Sequence, residues 1–193
     1  MIPEIAIFGL SIKTFGLMFG LAFIVSGAIV ARRVKELGKL PDFAYELAFA
    51  ALIGGFLGAR LWYLAEHWGE EDFFDAIFSG AGLTWYGGAL GGSAAVLAWA
   101  KRRDMLDVRL LDLCAPALAA GYAVGRIGCE LSGDGDYGIP SDLPWAHAYP
   151  DGVVPTEEEV HPTPIYETLT MGAVAAWLWS RRDKEPPPGG TAP

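Results

Sequence analysis

The chain has 193 residues, of which 52% are hydrophobic and only 19% charged, with a formal net charge of -9. Its 25 glycines, 13 prolines and 2 cysteines fit neither a disordered chain, a collagen nor a disulfide scaffold. The acidic balance argues against nucleic acid as a partner, because phosphate backbones are bound by basic surfaces.

The charges are bunched, which leaves charge-poor stretches at residues 12–31, 43–65, 80–100, 110–127 and 164–180. A hydrocarbon core of about 30 Å needs roughly 17 to 25 helical residues, so each stretch is close to spanning length. All are apolar nearly all round, whereas helices of a soluble bundle keep a polar face. The expected fold is therefore all-α, a polytopic membrane helix bundle of about five transmembrane helices. The first stretch has no cationic region before it and is followed by Arg32, Arg33 and Lys35. It reads as an uncleaved anchor rather than a signal peptide. The second carries Gly54, Gly55, Gly58 and Ala59, and the third Gly87, Gly88, Gly91 and Gly92. Small residues at four-residue spacing let helices approach closely in lipid; for Gly87 and Gly88, exposure of backbone to a ligand is a second reading. The fourth contains Cys114 and leads to Cys129, both read as packing residues. The fifth follows Pro162 and Pro164, which suit a helix entry. Residues 1–184 are expected to form a single transmembrane domain, and the Pro/Gly-rich residues 185–193 a disordered tail.

Eleven of the 14 Lys and Arg residues follow stretches one, three and five, while residues 66–79 and 128–163 contain none and are acidic. The positive-inside rule then puts the N-terminus outside and the C-terminus inside. Trp62, Tyr63, Trp68, Trp85, Tyr86, Trp145 and Tyr149 fall near the outer ends, as interfacial aromatics do.

Ionisable residues inside spans are the strongest functional signal, since an unpaired charge in hydrocarbon is expensive. Arg60, Arg126 and Glu167 are expected at similar depth, converging on a pocket that opens outward. Two readings stand. One is an Arg60–Glu167 or Arg126–Glu167 ion pair that clamps helices. The other is a pair of guanidiniums for an anionic lipid headgroup, because Arg grips phosphate with parallel hydrogen bonds. No HExxH, CxxC, GxSxG or Walker pattern is present, and His67, His147 and His161 are too scattered for a ligand set. Neither a metal nor a cofactor is expected.

The run Gly125-Arg126-Ile127-Gly128, followed by Gly133-Asp134, Tyr137-Gly138 and residues 140–146, resembles the signature region of the bacterial prolipoprotein diacylglyceryl transferase family. Residues 15–18, 55–60 (ending in Arg60), 85–92 and 161–167 follow the family order. The last, His161-Pro162-Thr163-Pro164-Ile165-Tyr166-Glu167, is similar to the family's HPTQLYE. The matches run from about residue 14 to 182.

The resemblance implies a multi-pass protein of the bacterial plasma membrane. Such a protein transfers the diacylglyceryl group of phosphatidylglycerol to the lipobox cysteine of a preprolipoprotein signal peptide, with glycerol phosphate leaving. Membrane lipids are implied surroundings. A thiolate attacking the glyceryl carbon needs a base nearby, and the departing phosphate needs cations or donors. By resemblance Arg126 serves the phosphate, Arg60 the headgroup, and Gly87, Gly88, Gly138, His161, Tyr166 and Glu167 line the substrate. The chain also departs from the family pattern. Tyr86 stands where a histidine precedes the paired glycines, and is either a phosphate donor or an interfacial aromatic. Cys129 and Ser132 replace two asparagines, Phe15 a tyrosine, and Asp134 or Asp136 stands for the signature glutamate, unless that loop is only a solvated turn or a weak cation site. Family members continue past the fifth block into spans carrying another arginine and glutamate. A non-catalytic phospholipid-binding or complex-forming relative and a small membrane transporter are the alternative functions.

Overall fold

A computed structural model describes residues 1–7, 10–36, 38, 42–68, 84–106 and 108–182. The expected tail at 185–193 and most of the acidic connection at 66–79 lie outside the described residues. The helices are α1 (Thr14–Glu36), α2 (Asp42–Glu66), α3 (Trp85–Arg102), α4 (Val108–Ser132) and α5 (Thr163–Arg181). Strands β1 (Glu4–Ile7) and β2 (Leu10–Lys13) precede them, and β3 (His147–Tyr149) and β4 (Thr156–Val160) lie between α4 and α5. Among the described residues, three helices are long and apolar enough to cross a membrane: Thr14–Glu36, Asp42–Glu66 and Leu110–Ser132. Large apolar side chains stand exposed along them, including Ile24, Phe49, Leu61 and Leu118. Such surface is unfavourable in water and natural against acyl chains. The chain is a mostly helical multi-pass membrane protein.

The chain divides into two compact units, Met1–Val30 with Asp112–Pro193, and Ala31–Leu111. In the first unit, residues 12 and 13, expected to open the first span, belong to an antiparallel hairpin. Its register sets Glu4 opposite Lys13 and Ile5 opposite Ile12, an opposite-charge pair and a β-branched pair that favour strand over helix. Thr14 ends the hairpin: its backbone N–H and its buried hydroxyl both donate to the Pro3 carbonyl at 3.0 Å. The Ile2 N–H reaches Leu131 O at 3.0 Å and so ties the N-terminus to the end of α4. Helices α1 and α4 touch where Ser26 Oγ donates to Ala117 O at 2.9 Å, one residue beyond Pro116, whose ring interrupts the ladder of α4. Thr168 Oγ1 donates to Ala123 O at 3.2 Å and joins α5 to α4.

In the second unit α2 and α3 pack through their glycines, as the four-residue spacing led one to expect. A Cβ on Gly91 would stand 2.7 Å from Gly58 Cα, and a Cβ on Gly58 would stand 2.7 Å from Gly91 Cα. Neither backbone can withdraw without parting the helices. At the other end of α2, Glu46 accepts from Trp99 Nε1 at 2.9 Å and from Arg103 at 2.5 Å.

Candidate functional site

Residues 122, 126 and 130 recur at four-residue spacing and so share a face of α4. The Arg126 side chain is 14% exposed. A guanidinium so enclosed persists only when paired, and two carboxylates from other segments pair it. Nη1 donates to Asp136, and Nε lies 2.7 Å from Glu167 Oε2 on α5, at an angle that makes an ion pair but no hydrogen bond. Nη1 also donates to Cys129 Sγ at 3.3 Å. Tyr122 OH donates to the same Glu167 oxygen at 2.5 Å. Of the ion pairs expected for Glu167, the one with Arg126 is present.

The acidic loop after α4 reaches Arg126 because two glycines turn it. Gly133 and Gly135 have φ of 58° and 97°, where L side chains are strained. The Asp134 carboxylate accepts the Asp136 N–H at 3.3 Å, closing an Asx-type turn, and lies beside the Cys129 thiol. Ligand atoms of Cys129, Asp134 and Asp136 lie within 4.8 Å of one another, and the Arg126 guanidinium bonds to two of the three residues, Cys129 and Asp136. Both cysteines are free thiols, Cys129 buried.

His161, Tyr166 and Gly138 assemble beside this loop. Gly138 N–H donates to His161 O at 2.8 Å. A Cβ there would press on His161 Cβ and Thr163 Cγ2 at 3.0 Å, so glycine is needed for the close approach. The Thr163 hydroxyl donates to Asp136 O. Tyr166 OH accepts from Trp145 Nε1 at 2.7 Å and lies 3.1 Å from His161 Nδ1. A hydroxyl has one proton to donate and two lone pairs to accept, so the Tyr166 oxygen can bind the indole N–H and the imidazole together.

Sequence reasoning missed a second polar group on the same helix end. Glu130 accepts from Tyr149 OH at 2.9 Å and meets His147 Nε2 at 3.0 Å. Tyr149, expected as an interfacial aromatic, is instead 1% exposed, because Glu130 gives its hydroxyl a partner inside the loop. Burial first, and the bond to Glu130 next, push its phenol above the ordinary tyrosine range. Its ring stacks on Tyr137 at 4.9 Å. The available signal was the polar stripe 122, 126, 130 on an otherwise apolar helix.

Arg60, Tyr86, Gly87 and Gly88 belong to the second unit. The Arg60 guanidinium lies 5.6 Å from the Tyr63 ring centroid. Tyr86 is exposed and meets Trp85 edge to face at 5.4 Å. Gly87 is buried against Gly58 and Trp62, where no Cβ fits, and a Cβ on Gly88 would lie at an ordinary contact distance of 3.6 Å from Ala59 Cβ and Gly55 O.

The family model of prolipoprotein diacylglyceryl transferase matches residues 3–192. A Clostridium tetani protein named phosphatidylglycerol–prolipoprotein diacylglyceryl transferase is 31% identical over 188 residues, covering 93% of this chain and 73% of its own. Proteins of the same name from Synechococcus elongatus and Pseudomonas putida are 33% and 29% identical, over 83% and 93% of this chain. The chain spans 57% and 70% of those two relatives.

Proposed function

Because the chain belongs to the prolipoprotein diacylglyceryl transferase family, we propose that it transfers the diacylglyceryl group of phosphatidylglycerol to the lipobox cysteine of a prolipoprotein signal peptide. The cysteine sulfur bonds to the glyceryl carbon, the bond from that carbon to the phosphate oxygen breaks, and glycerol phosphate departs with the electron pair. The reaction takes place at the outer face of the bacterial plasma membrane, in a single domain of five spans over residues 1–184, with the N-terminus outside and the C-terminus inside. The 11 cationic residues after helices one, three and five support that orientation.

One observation carries the chemical reading: Arg126, nearly enclosed, is held between Asp136 and Glu167. Two carboxylates fix the plane of the guanidinium, so its donors are aimed before substrate arrives. Preorganised donors stabilise the charge growing on the departing phosphate more than mobile ones do. Asp134, beside the Cys129 thiol, takes the proton of the incoming thiol. The family order of the 55–60 and 85–92 blocks supports a headgroup role for Arg60 and a phosphate-donor role for Tyr86. His161 and Tyr166 line the approach, and Gly138 brings the loop against them. The reaction as written needs no cofactor.

The experiment incubates the purified chain with phosphatidylglycerol and a lipobox peptide and weighs the peptide. A gain of one diacylglyceryl group on its cysteine, absent with Arg126→Ala, is expected. An unmodified peptide, with a known transferase active beside it, removes the reading in favour of a phospholipid-binding relative.

A further inference from the structure

Three side chains that the reaction does not use tie the loop to α4. Glu130 lies four residues past Arg126, and its two oxygens reach different residues of β3, Oε1 facing His147 and Oε2 accepting from Tyr149. From Tyr149 the contact runs on to Tyr137, stacked at 4.9 Å, and Tyr137 adjoins Asp136, the partner of Arg126. Gly133 closes the other side, where an added Cβ would meet Tyr149 Cδ1 at 3.3 Å and Gly152 Cα at 2.8 Å. Anything that frees Tyr149 therefore loosens the segment presenting Asp136.

We propose that Glu130 is a positioning residue: acting through His147 and Tyr149, it holds the 133–160 loop so that Asp136 fixes the phosphate-binding guanidinium of Arg126. This rests on the transfer reading for the role of Arg126, but the clamp itself does not. The His147 ring stands between two acceptors. Its Nε2 faces a carboxylate and its Nδ1 lies 3.4 Å from the Trp145 carbonyl. Both partners only accept, so the doubly protonated ring alone satisfies both. The groups bearing on this site are Glu130 from α4 and Tyr149 from β3, whose ring lies 4.7 Å from that of His147. Asp134 of the loop and Tyr166 of α5 act on Tyr149, and β4 presents only Val160 opposite His147.

Glu130→Gln separates position from charge. Its carbonyl still accepts from Tyr149, and its amide N–H donates to an unprotonated Nε2 while Nδ1–H turns to Trp145. The clamp then closes on a neutral ring. Two measurements on the full chain test this: backbone hydrogen exchange over residues 146–154, taken throughout relative to the rate of an unprotected amide at the same pH, and kcat and KM for phosphatidylglycerol from about pH 5 to 8, where imidazole charge changes. With the native chain, exchange quickens and KM rises as pH increases. With E130Q both should be flat and close to the low-pH native values. With Glu130→Ala exchange should be fast at every pH and KM on the order of tenfold higher, with kcat changed less. An E130A chain with native exchange or native KM overturns the proposal, as does an E130Q chain that keeps the native pH slope. Should the native chain transfer nothing while its exchange responds as described, the transfer reading fails and the clamp stands.

Discussion

The glycine seam between α2 and α3 and the polar cluster at the end of α4 solve the same problem by opposite means. In the seam, two helices meet with almost no side chain between them, and its specificity is steric: Gly58 and Gly91 stand where any Cβ would strike backbone. In the cluster, the chain comes together through long side chains from sequence positions far apart, Arg126 with Asp136 and Glu167, and Glu130 with His147 and Tyr149. The seam tolerates no added volume and is indifferent to pH. The cluster tolerates changes of shape but depends on charge. Rigidity without chemistry belongs to the first, and chemistry with adjustable geometry to the second.

The contrast is broken most severely at the seam. Gly91→Leu puts a branched side chain 2.7 Å from Gly58 Cα, and overpacking of that kind destabilises by about 3 kcal/mol or more. The expected outcome in detergent is a large fall in melting temperature, or no folded protein. A native melting temperature in G91L would show that the seam can part and is no constraint.

Arg126→Ala comes next. Loss of a preorganised cation at a developing anion lowers rate by roughly a hundredfold or more. The variant should insert and melt near the native temperature, because Asp136 and Glu167 stay partly exposed and are rehydrated. Transfer measured by peptide mass should be lost. A variant that unfolds instead would make the cluster as structural as the seam.

How far each region was legible follows from how its contacts are spaced along the chain. The seam announces itself because small residues at four-residue spacing define one helix face, and two such faces have each other to meet. The Arg126–Glu167 pair was legible for a related reason, both being charges set in apolar stretches. Asp136 was harder: its approach depends on the left-handed turns at Gly133 and Gly135, and nothing in the composition of an acidic loop says which carboxylate turns inward. Glu130 and Tyr149 were missed because each looked ordinary alone, a carboxylate at a helix end and an aromatic near an interface. Only their meeting, 19 residues apart, buries Tyr149 and gives its hydroxyl a partner. The hairpin at residues 4–13 was hidden because its apolar strand runs straight into the apolar helix that follows.

A gentler change sharpens the cluster's side of the comparison. Asp136→Asn keeps an acceptor facing Nη1 of Arg126 but removes a negative charge from the place a phosphate approaches. If charge governs this region, KM for phosphatidylglycerol should fall severalfold, by roughly 1 kcal/mol of binding, with little change in kcat. A rise in KM would mean that the aspartate works mainly by holding the guanidinium strongly, and that competition with the lipid phosphate is unimportant.

The smallest expected effect lies in the alkaline stability of the loop. Tyr149 is buried and bonded to a carboxylate, both of which disfavour the phenolate, so its folded-state pKa is raised above the ordinary value near 10. A group raised in this way contributes stability that is complete below the unfolded pKa and is lost as pH climbs above it towards the folded pKa. Melting temperature should therefore fall more steeply above about pH 10 in the native chain than in Tyr149→Phe. That variant lacks the titrating proton, and near neutrality it starts slightly lower, by about 1 kcal/mol for the lost hydrogen bond. Lysines and the other tyrosines titrate in both proteins, so the difference between the two curves isolates Tyr149. The glycine seam carries no such group, and Gly88→Ala, a modest change at that seam, should shift the whole melting curve without altering its pH dependence. Parallel curves for native and Y149F would show that the loop opens to water before the phenol ionises, and that the clamp around Glu130 is weaker than its geometry implies.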